Sequence, residues 1–207
     1  MDSLLLRHVF NEHKEHQNAK CIFCFPAPEM KLLDLGNMHL LLDTFPVCAG
    51  HALLSSKRHY GCLGDLPQEE IQKVGAYLET LNGDFVLYEH GRAGGCGVNK
   101  ENCEHFHINI IPVPADFCPV FPLMKVEPLT ALSDVQDFYH KKGQYLLLIM
   151  KRKIHIFAVP KAQSLPPHFL RSKVCQALGV PHLADWKNYN DFDRFAKSYS
   201  KAQELYL

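Results

Sequence analysis

The stretch Cys103-Glu104-His105-Phe106-His107-Ile108-Asn109-Ile110-Ile111-Pro112 decides the fold. Successive residues of a strand face opposite ways. As a strand, it sets His105, His107, Asn109 and Ile111 on one face and Phe106, Ile108 and Ile110 on the other. The first face is a row of imidazole, imidazole and amide; the second is core. Neighbours within a row lie about 6.6 Å apart, close enough to serve one site without all binding one atom. A half-exposed strand whose polar face meets water has the same pattern, so the rest of the chain must separate the two.

The chain has 207 residues, enough for one domain with a sizeable core, or one domain with a substantial extension. Its 22 basic and 22 acidic residues balance, so no overall charge draws it to nucleic acid or to an anionic membrane. Met1-Asp2-Ser3-Leu4-Leu5-Leu6-Arg7-His8 has neither a basic leader nor a long apolar run, and no later apolar run approaches ~18 residues. The expectation is a soluble cytoplasmic protein. Of the eight cysteines, Cys48, Cys62, Cys118 and Cys175 sit among apolar neighbours and read as reduced, buried thiols. Cys21-Ile22-Phe23-Cys24 alone has chemical spacing. Two thiolates so spaced can converge on a metal, serve redox chemistry at a helix N-terminus, or be merely structural, and the spacing leaves all three open.

Residues 3 to about 17 read as an opening helix, with Leu5, Leu6, Val9 and Phe10 on one side. Pro26, Pro28 and Gly36 punctuate a loop. Then His39 to Phe45 and His51 to Ser56 read as paired strands about the turn Pro46-Val47-Cys48-Ala49-Gly50. Asp65 or Gly64 can cap a helix with Pro67 in its first turn and Ile71, Val74, Tyr77, Leu78 and Leu81 at helical spacing. Phe85 to Glu89 is a strand, followed by a glycine-rich loop, Glu89 to Gly97. Its backbone N–H groups can approach an anion closely, Gly95 among them, or the glycines can simply permit a mobile loop. Beyond residue 113, Phe117 to Pro122 is a Pro-rich crossing, and Ser133 caps a short helix ending at Lys142 before Gly143. Tyr145 to Met150 and Ile154 to Val159 form a hairpin with a basic turn. A helix opens near Pro166-Pro167-His168 and ends at Gly179, and a last helix follows Asp191.

Four of these segments, in order, resemble those of a histidine triad (HIT) protein: Cys21 to Cys24; Asp43-Thr44-Phe45-Pro46-Val47 with Gly50 to Leu54; Lys57-Arg58-His59; and His105 to Pro112. Tyr88-Glu89-His90-Gly91 looks like the loop before the triad in bacterial-type members with a longer C-terminus, and the Phe169 to Trp186 region resembles their extension, packed back on the core. The likeness implies an α+β fold: a HIT-like nucleotide-binding core over residues 1–113, with an antiparallel sheet and flanking helices, and an α+β extension over 114–207.

By the same resemblance His107 is the nucleophile toward a nucleotide α-phosphate. A neutral imidazole nitrogen can attack phosphorus and leave again, provided its other nitrogen gives a proton to a fixed acceptor such as a backbone carbonyl. The resemblance implies structural zinc held by Cys21, Cys24, His59 and His105, a closed set with no position for water. It places Asp43 on the ribose hydroxyls and brings His90, Gly95 and Arg171 to the substrate, with Lys57 and Arg58 as further cations. Asn109 departs from the pattern: the usual triad has a third His there and the nucleotide transferase branch a Gln. An amide donates a hydrogen bond but supplies no proton, so an acid, if one is needed, comes from His90 or His51. The expected function is a nucleotide phosphohydrolase or nucleotidyltransferase with a covalent nucleotidyl-histidine intermediate, acting on a nucleotide or dinucleoside polyphosphate. A degenerate nucleotide-binding or sensor protein with structural zinc is the alternative. HIT proteins are often homodimers, and an extension of this size can instead cover the dimer face.

Overall fold

The computed structural model describes residues 3–16, 21–92, 104–119, 126–160, 165–166 and 168–207, without the side chains of residues 13–16. The described helices are α1 (Ser3–His16), α2 (Gln68–Thr80), α3 (Asp134–Lys142), α4 (Phe169–Ala177) and α5 (Phe192–Tyr206). The strands are β1 (Lys31–Leu35), β2 (Met38–Leu42), β3 (Ala52–Ser56), β4 (Phe85–Glu89), β5 (His107–Pro112), β6 (Val126–Leu129), β7 (Tyr145–Met150) and β8 (Lys153–Ala158). They form one antiparallel sheet in the order β1-β2-β3-β5-β4-β7-β8-β6. The α+β architecture is as expected, and β4 against β7 joins the two halves of the chain in that sheet.

Both faces of the sheet are covered, which is why the strands read as near-continuous apolar runs. On one face Phe106, Ile108, Ile110, Leu54 and Leu87 pack with Ile71 and Val74 of α2 and Val135 and Phe138 of α3. On the other, Ile111, Val86, Tyr88 and Leu148 meet Leu170, Val174 and Cys175 of α4. Leu42 and Phe45 meet Phe10 of α1 and Phe195 of α5 in a separate cluster. The histidine strand is therefore not half-exposed: Asn109 keeps 6% of its surface and Ile111 none.

The turns follow local chemistry. Lys151 and Arg152, at φ 49° and 60°, make the two-residue basic turn between β7 and β8. Asp191 caps α5, its side chain accepting from Asp193 N–H at 2.9 Å. Ser133 is the N-cap residue of α3 but makes no side-chain cap bond, and Asp134 accepts from the Thr130 hydroxyl and Ala131 N–H. Pro67 is the N-cap of α2 and not a residue of its first turn. Two strands were not foreseen: β1, between Pro28 and Gly36, and β6, which contains Pro128. Both are edge strands, where a sheet tolerates breakers and polar side chains.

The start of the glycine-rich loop is fixed from the core. Gly91, at φ 44°, passes so close to the Tyr145 ring that a Cβ would fall 2.4 Å from it, so any side chain there would force the ring or the strand to move.

Candidate active site

His107 opens β5 opposite Ser55, while Asn109 lies between Leu53 of β3 and Tyr88 of β4. The His107 Nδ1 stands 2.8 Å from the carbonyl oxygen of His105. A carbonyl only accepts, so Nδ1 carries the hydrogen and Nε2 keeps its lone pair. Phe23 stacks on the ring, 4.6 Å between centroids and 15° between planes. Burial lowers the pKa of His107 against the opposing pull of the His105 carbonyl and Asp43, leaving a neutral imidazole at pH 7. This is the arrangement that a nucleophilic imidazole requires.

Asn109 is held by a relay. Val47 N–H donates to His51 Nδ1 at 3.4 Å, so His51 Nε2 bears the hydrogen and gives it to Asn109 Oδ1 at 3.1 Å. The amide oxygen is thereby taken and the NH2 group remains as donor. His51 is fully buried, and burial pushes its pKa down to about 4, so it is neutral and is not a proton source at pH 7. Asp43 Oδ1 accepts from Phe45 N–H at 2.5 Å, and its Oδ2 lies 3.5 Å from His51 Nε2 and 3.8 Å from Arg171 Nη1. Burial alone would raise that carboxyl. His51, Arg171, the Phe45 N–H and His107 outweigh it and hold the pKa below the ordinary value, so Asp43 is ionised.

Arg171, expected to reach a phosphate, gives its Nε and Nη2 donors to the protein. Its Nε and Nη2 bond the Leu183 carbonyl at 3.1 and 3.0 Å, and Nη2 bonds the Phe45 carbonyl at 2.6 Å. It locks α4 to the β2–β3 turn. Lys57 pairs at 2.7 Å with Asp34, and Arg58 lies over the Tyr60 ring. Gly95 lies outside the described residues.

Two further imidazoles stand within electrostatic reach of His107. His90 Nε2 accepts from Leu170 N–H at 3.1 Å, in the first turn of α4, and burial pushes its pKa down to about 3. His168, the residue before α4, has a left-handed backbone at φ 56°. Its Nε2 accepts from the Trp186 indole N–H at 3.2 Å, and burial pushes its pKa down to about 4. Trp186 in turn stacks on Phe45 at 4.9 Å. Sequence reasoning assigned no role to His168 or Trp186. The available signals were the only tryptophan of the chain and a histidine directly after Pro166-Pro167.

Beside the triad strand, Cys21, Cys24, His59 and His105 converge, with their ligand atoms all within 4.8 Å of one another. Cys21 Sγ is 3.2 Å from His105 Nδ1, Cys24 Sγ is 3.4 Å from His59 Nδ1, and the two Nδ1 atoms are 3.2 Å apart. His105 Nε2 donates to the Ser56 carbonyl at 2.7 Å, so its Nδ1 lone pair faces the thiols. A tetrahedral metal with these ligands has edges of about 3.3 Å between nitrogens to about 3.8 Å between sulfurs, so the set fits a metal ion. The outer bond from His105 to Ser56 fixes the ring as metal-binding histidines are usually fixed.

The fold is shared with yeast Ap4A phosphorylase Apa2 in complex with AMP: TM-score 0.51, 17% identity, 89% of this chain and 94% of that one. In sequence the chain is similar to adenosine 5'-monophosphoramidase HNT1 of Saccharomyces cerevisiae, 30% identical over 105 residues. These similarities agree with the histidine triad resemblance carried by the sequence motifs. The chain also resembles adenylylsulfatase HINT3 of Arabidopsis thaliana, 26% identical over 161 residues that cover 71% of this chain and 75% of the relative. The HNT1 match covers 46% of this chain and 63% of the yeast relative, under two thirds of the latter's length. No family model matches the chain.

Proposed function

We propose that this chain is a histidine triad protein, a nucleotide phosphohydrolase or nucleotidyltransferase that works through a nucleotidyl group on His107. The bond from Nδ1 to the His105 carbonyl carries the proposal, because it leaves Nε2 as a fixed, unprotonated nucleophile. Nε2 attacks the α-phosphorus, and the bond from phosphorus to the leaving oxygen breaks. The positive charge on the ring is then shared with the carbonyl that Nδ1–H already bonds. Water or a second phosphate next attacks the same phosphorus, the N–P bond breaks, and the ring is returned neutral. The relatives' names support the substrate class: a phosphoramidase and a sulfatase of adenylyl groups, both of them nucleotide enzymes. His51 and His90 are neutral and each has a nitrogen occupied by an N–H donor, which favours a leaving group that departs without a proton, as a polyphosphate does.

Asp43, ionised at the edge of the site, is the ribose ligand in this account, and the Asn109 amide donates to a phosphate oxygen. Cys21, Cys24, His59 and His105 hold zinc, which would tie the N-terminal knuckle to the triad strand and supply rigidity. Residues 1–113 carry the chemistry and 114–207 complete its walls. Pairing of β7 with β4 supports an extension that covers this sheet edge, in place of a second subunit. Unpaired thiols at all six described cysteines suit a cytoplasmic protein, and no helix of the described residues is long and apolar enough to cross a membrane. The alternative, a nucleotide sensor without turnover, draws on Asn109 at the third triad position. Stereochemistry separates the mechanisms: two displacements retain configuration at a chiral α-phosphorothioate, whereas direct attack by water inverts it. Retention is expected; inversion removes the covalent step, and no turnover favours the sensor.

A further inference from the structure

The third triad position lacks an imidazole, yet an imidazole that the triad motif does not contain stands at the site. We infer that His168 is a substrate-binding residue whose Nδ1–H donates to the phosphoryl group held at His107, with Trp186 as the positioning residue that fixes its ring and tautomer. The inference deepens the proposed function and rests on it for the location of the phosphate.

Three independent observations converge. The first is placement. α4 is anchored to the site by Leu170 N–H on His90 and by Arg171 on Phe45 and Leu183, so the residue just before α4 has little freedom to leave. His168 is also only partly buried, as are His90 and His107, so ligands can reach these rings. The second is backbone conformation. A φ of 56° is a left-handed conformation that side chains rarely adopt, and such residues cluster at functional sites. The third is the tautomer. An indole N–H can only donate, so the 3.2 Å bond from Trp186 obliges His168 Nε2 to accept. The hydrogen of the neutral ring is therefore on Nδ1.

The surrounding groups keep the ring neutral. Burial opposes a second proton most, Arg171, His107 and Lys187 oppose it as well, and Asp43 favours one. A neutral imidazole donates a hydrogen bond to an anion with no proton to lose. With the Asn109 amide and His90 Nδ1–H, His168 gives the site neutral donors in place of the third triad histidine.

AMP binding by calorimetry to the full chain tests this, independently of turnover. His168→Gly accepts the left-handed backbone and removes the donor. His168→Asn also tolerates that backbone and keeps an amide N–H near the Nδ1 position. The expectation is at least a tenfold loss of affinity for His168→Gly and less than threefold for His168→Asn. Equal affinity of His168→Gly and wild type overturns the inference. ¹⁵N NMR of the ring gives a second readout that needs no substitution at 168. Wild type should stay neutral with Nδ1 protonated down to pH 5.5, and Trp186→Phe, which keeps the burial and the charged neighbours, should stay neutral but admit the Nε2-protonated tautomer; a wild-type ring protonated on Nε2, or one that titrates near the ordinary ~6.5, is equally fatal. Loss of AMP binding in His168→Gly with no adduct on wild-type His107 supports His168 and sinks the covalent mechanism alone. Absence of AMP binding to wild type overturns both.

Discussion

His51 Nε2 lies 3.1 Å from Asn109 Oδ1, and this bond decides which end of the amide is offered to a substrate. Because Val47 N–H occupies His51 Nδ1, the imidazole can only donate to the amide, and the amide can only donate onward. Asn109→Asp keeps an acceptor for His51 but replaces the onward donor with a negative charge. We expect AMP affinity to fall by more than tenfold and turnover by more than a hundredfold, read by calorimetry and steady-state kinetics. An Asn109→Asp variant as active as wild type would show that no phosphate meets this amide.

The Cys21, Cys24, His59 and His105 set predicts a stoichiometric metal ion. Elemental analysis of protein purified without added metal should find close to one zinc per chain, and Cys24→Ser or His59→Ala should lose it and lower Tm by several degrees. The buried His105 Nδ1 faces Cys21 and Cys24, so loss of the ion leaves lone pairs unpartnered and disturbs the strand that carries His107. A metal-free protein with unchanged Tm in these variants would reduce the cluster to adjacent thiols and imidazoles.

Glu89 should make stability depend on pH. It is buried on the α2 and α3 side of the sheet, accepting Leu63 N–H at 2.7 Å and the Tyr145 hydroxyl at 2.8 Å. Burial pushes its pKa up from 4.5 to about 8, against those two bonds and with a small push from Asp65. The folded state thus holds a proton that the unfolded chain releases above 4.5. The stabilisation is complete below that pH and is lost as pH rises toward 8, by at most about 1.4 kcal/mol per pH unit. Denaturant titrations at pH 6 and 8.5 should show wild type weakening and Glu89→Gln holding steady by comparison. Parallel declines would assign the effect to another group.

Arg171 should behave as a structural residue. Arg171→Met strands the Phe45 and Leu183 carbonyls and removes a cation from beside Asp43. The expected cost is about 3 kcal/mol, measured by denaturant unfolding. A cost below about 0.5 kcal/mol, with AMP affinity lost, would return this arginine to the phosphate.

Much of this was legible because it is periodic or spaced. The alternation from His105 to Ile111 and the Cys21 to Cys24 knuckle announced both the triad strand and the cluster beside it. The β2–β3 and β7–β8 hairpins followed from apolar runs broken by turn residues. What stayed hidden depends on partners distant in sequence. β1 is a five-residue edge strand bracketed by breakers, visible only once β2 pairs with it. Arg171 read as a substrate ligand, and nothing in its own stretch of sequence announced the carbonyls of Phe45 and Leu183 that it bonds. His168 has no period and no motif; its direction comes from Trp186, eighteen residues on, whose indole fixes the tautomer.

The central claim is that His107 Nε2 takes the nucleotidyl group. The direct measurement is intact-protein mass after brief mixing with dinucleoside polyphosphates and nucleotide sugars, quenched in alkali to preserve phosphohistidine, with His107→Ala alongside. The account predicts a single nucleotide adduct on wild type and none on the variant. An adduct that persists in His107→Ala, or turnover with the same rate in both proteins, would contradict it.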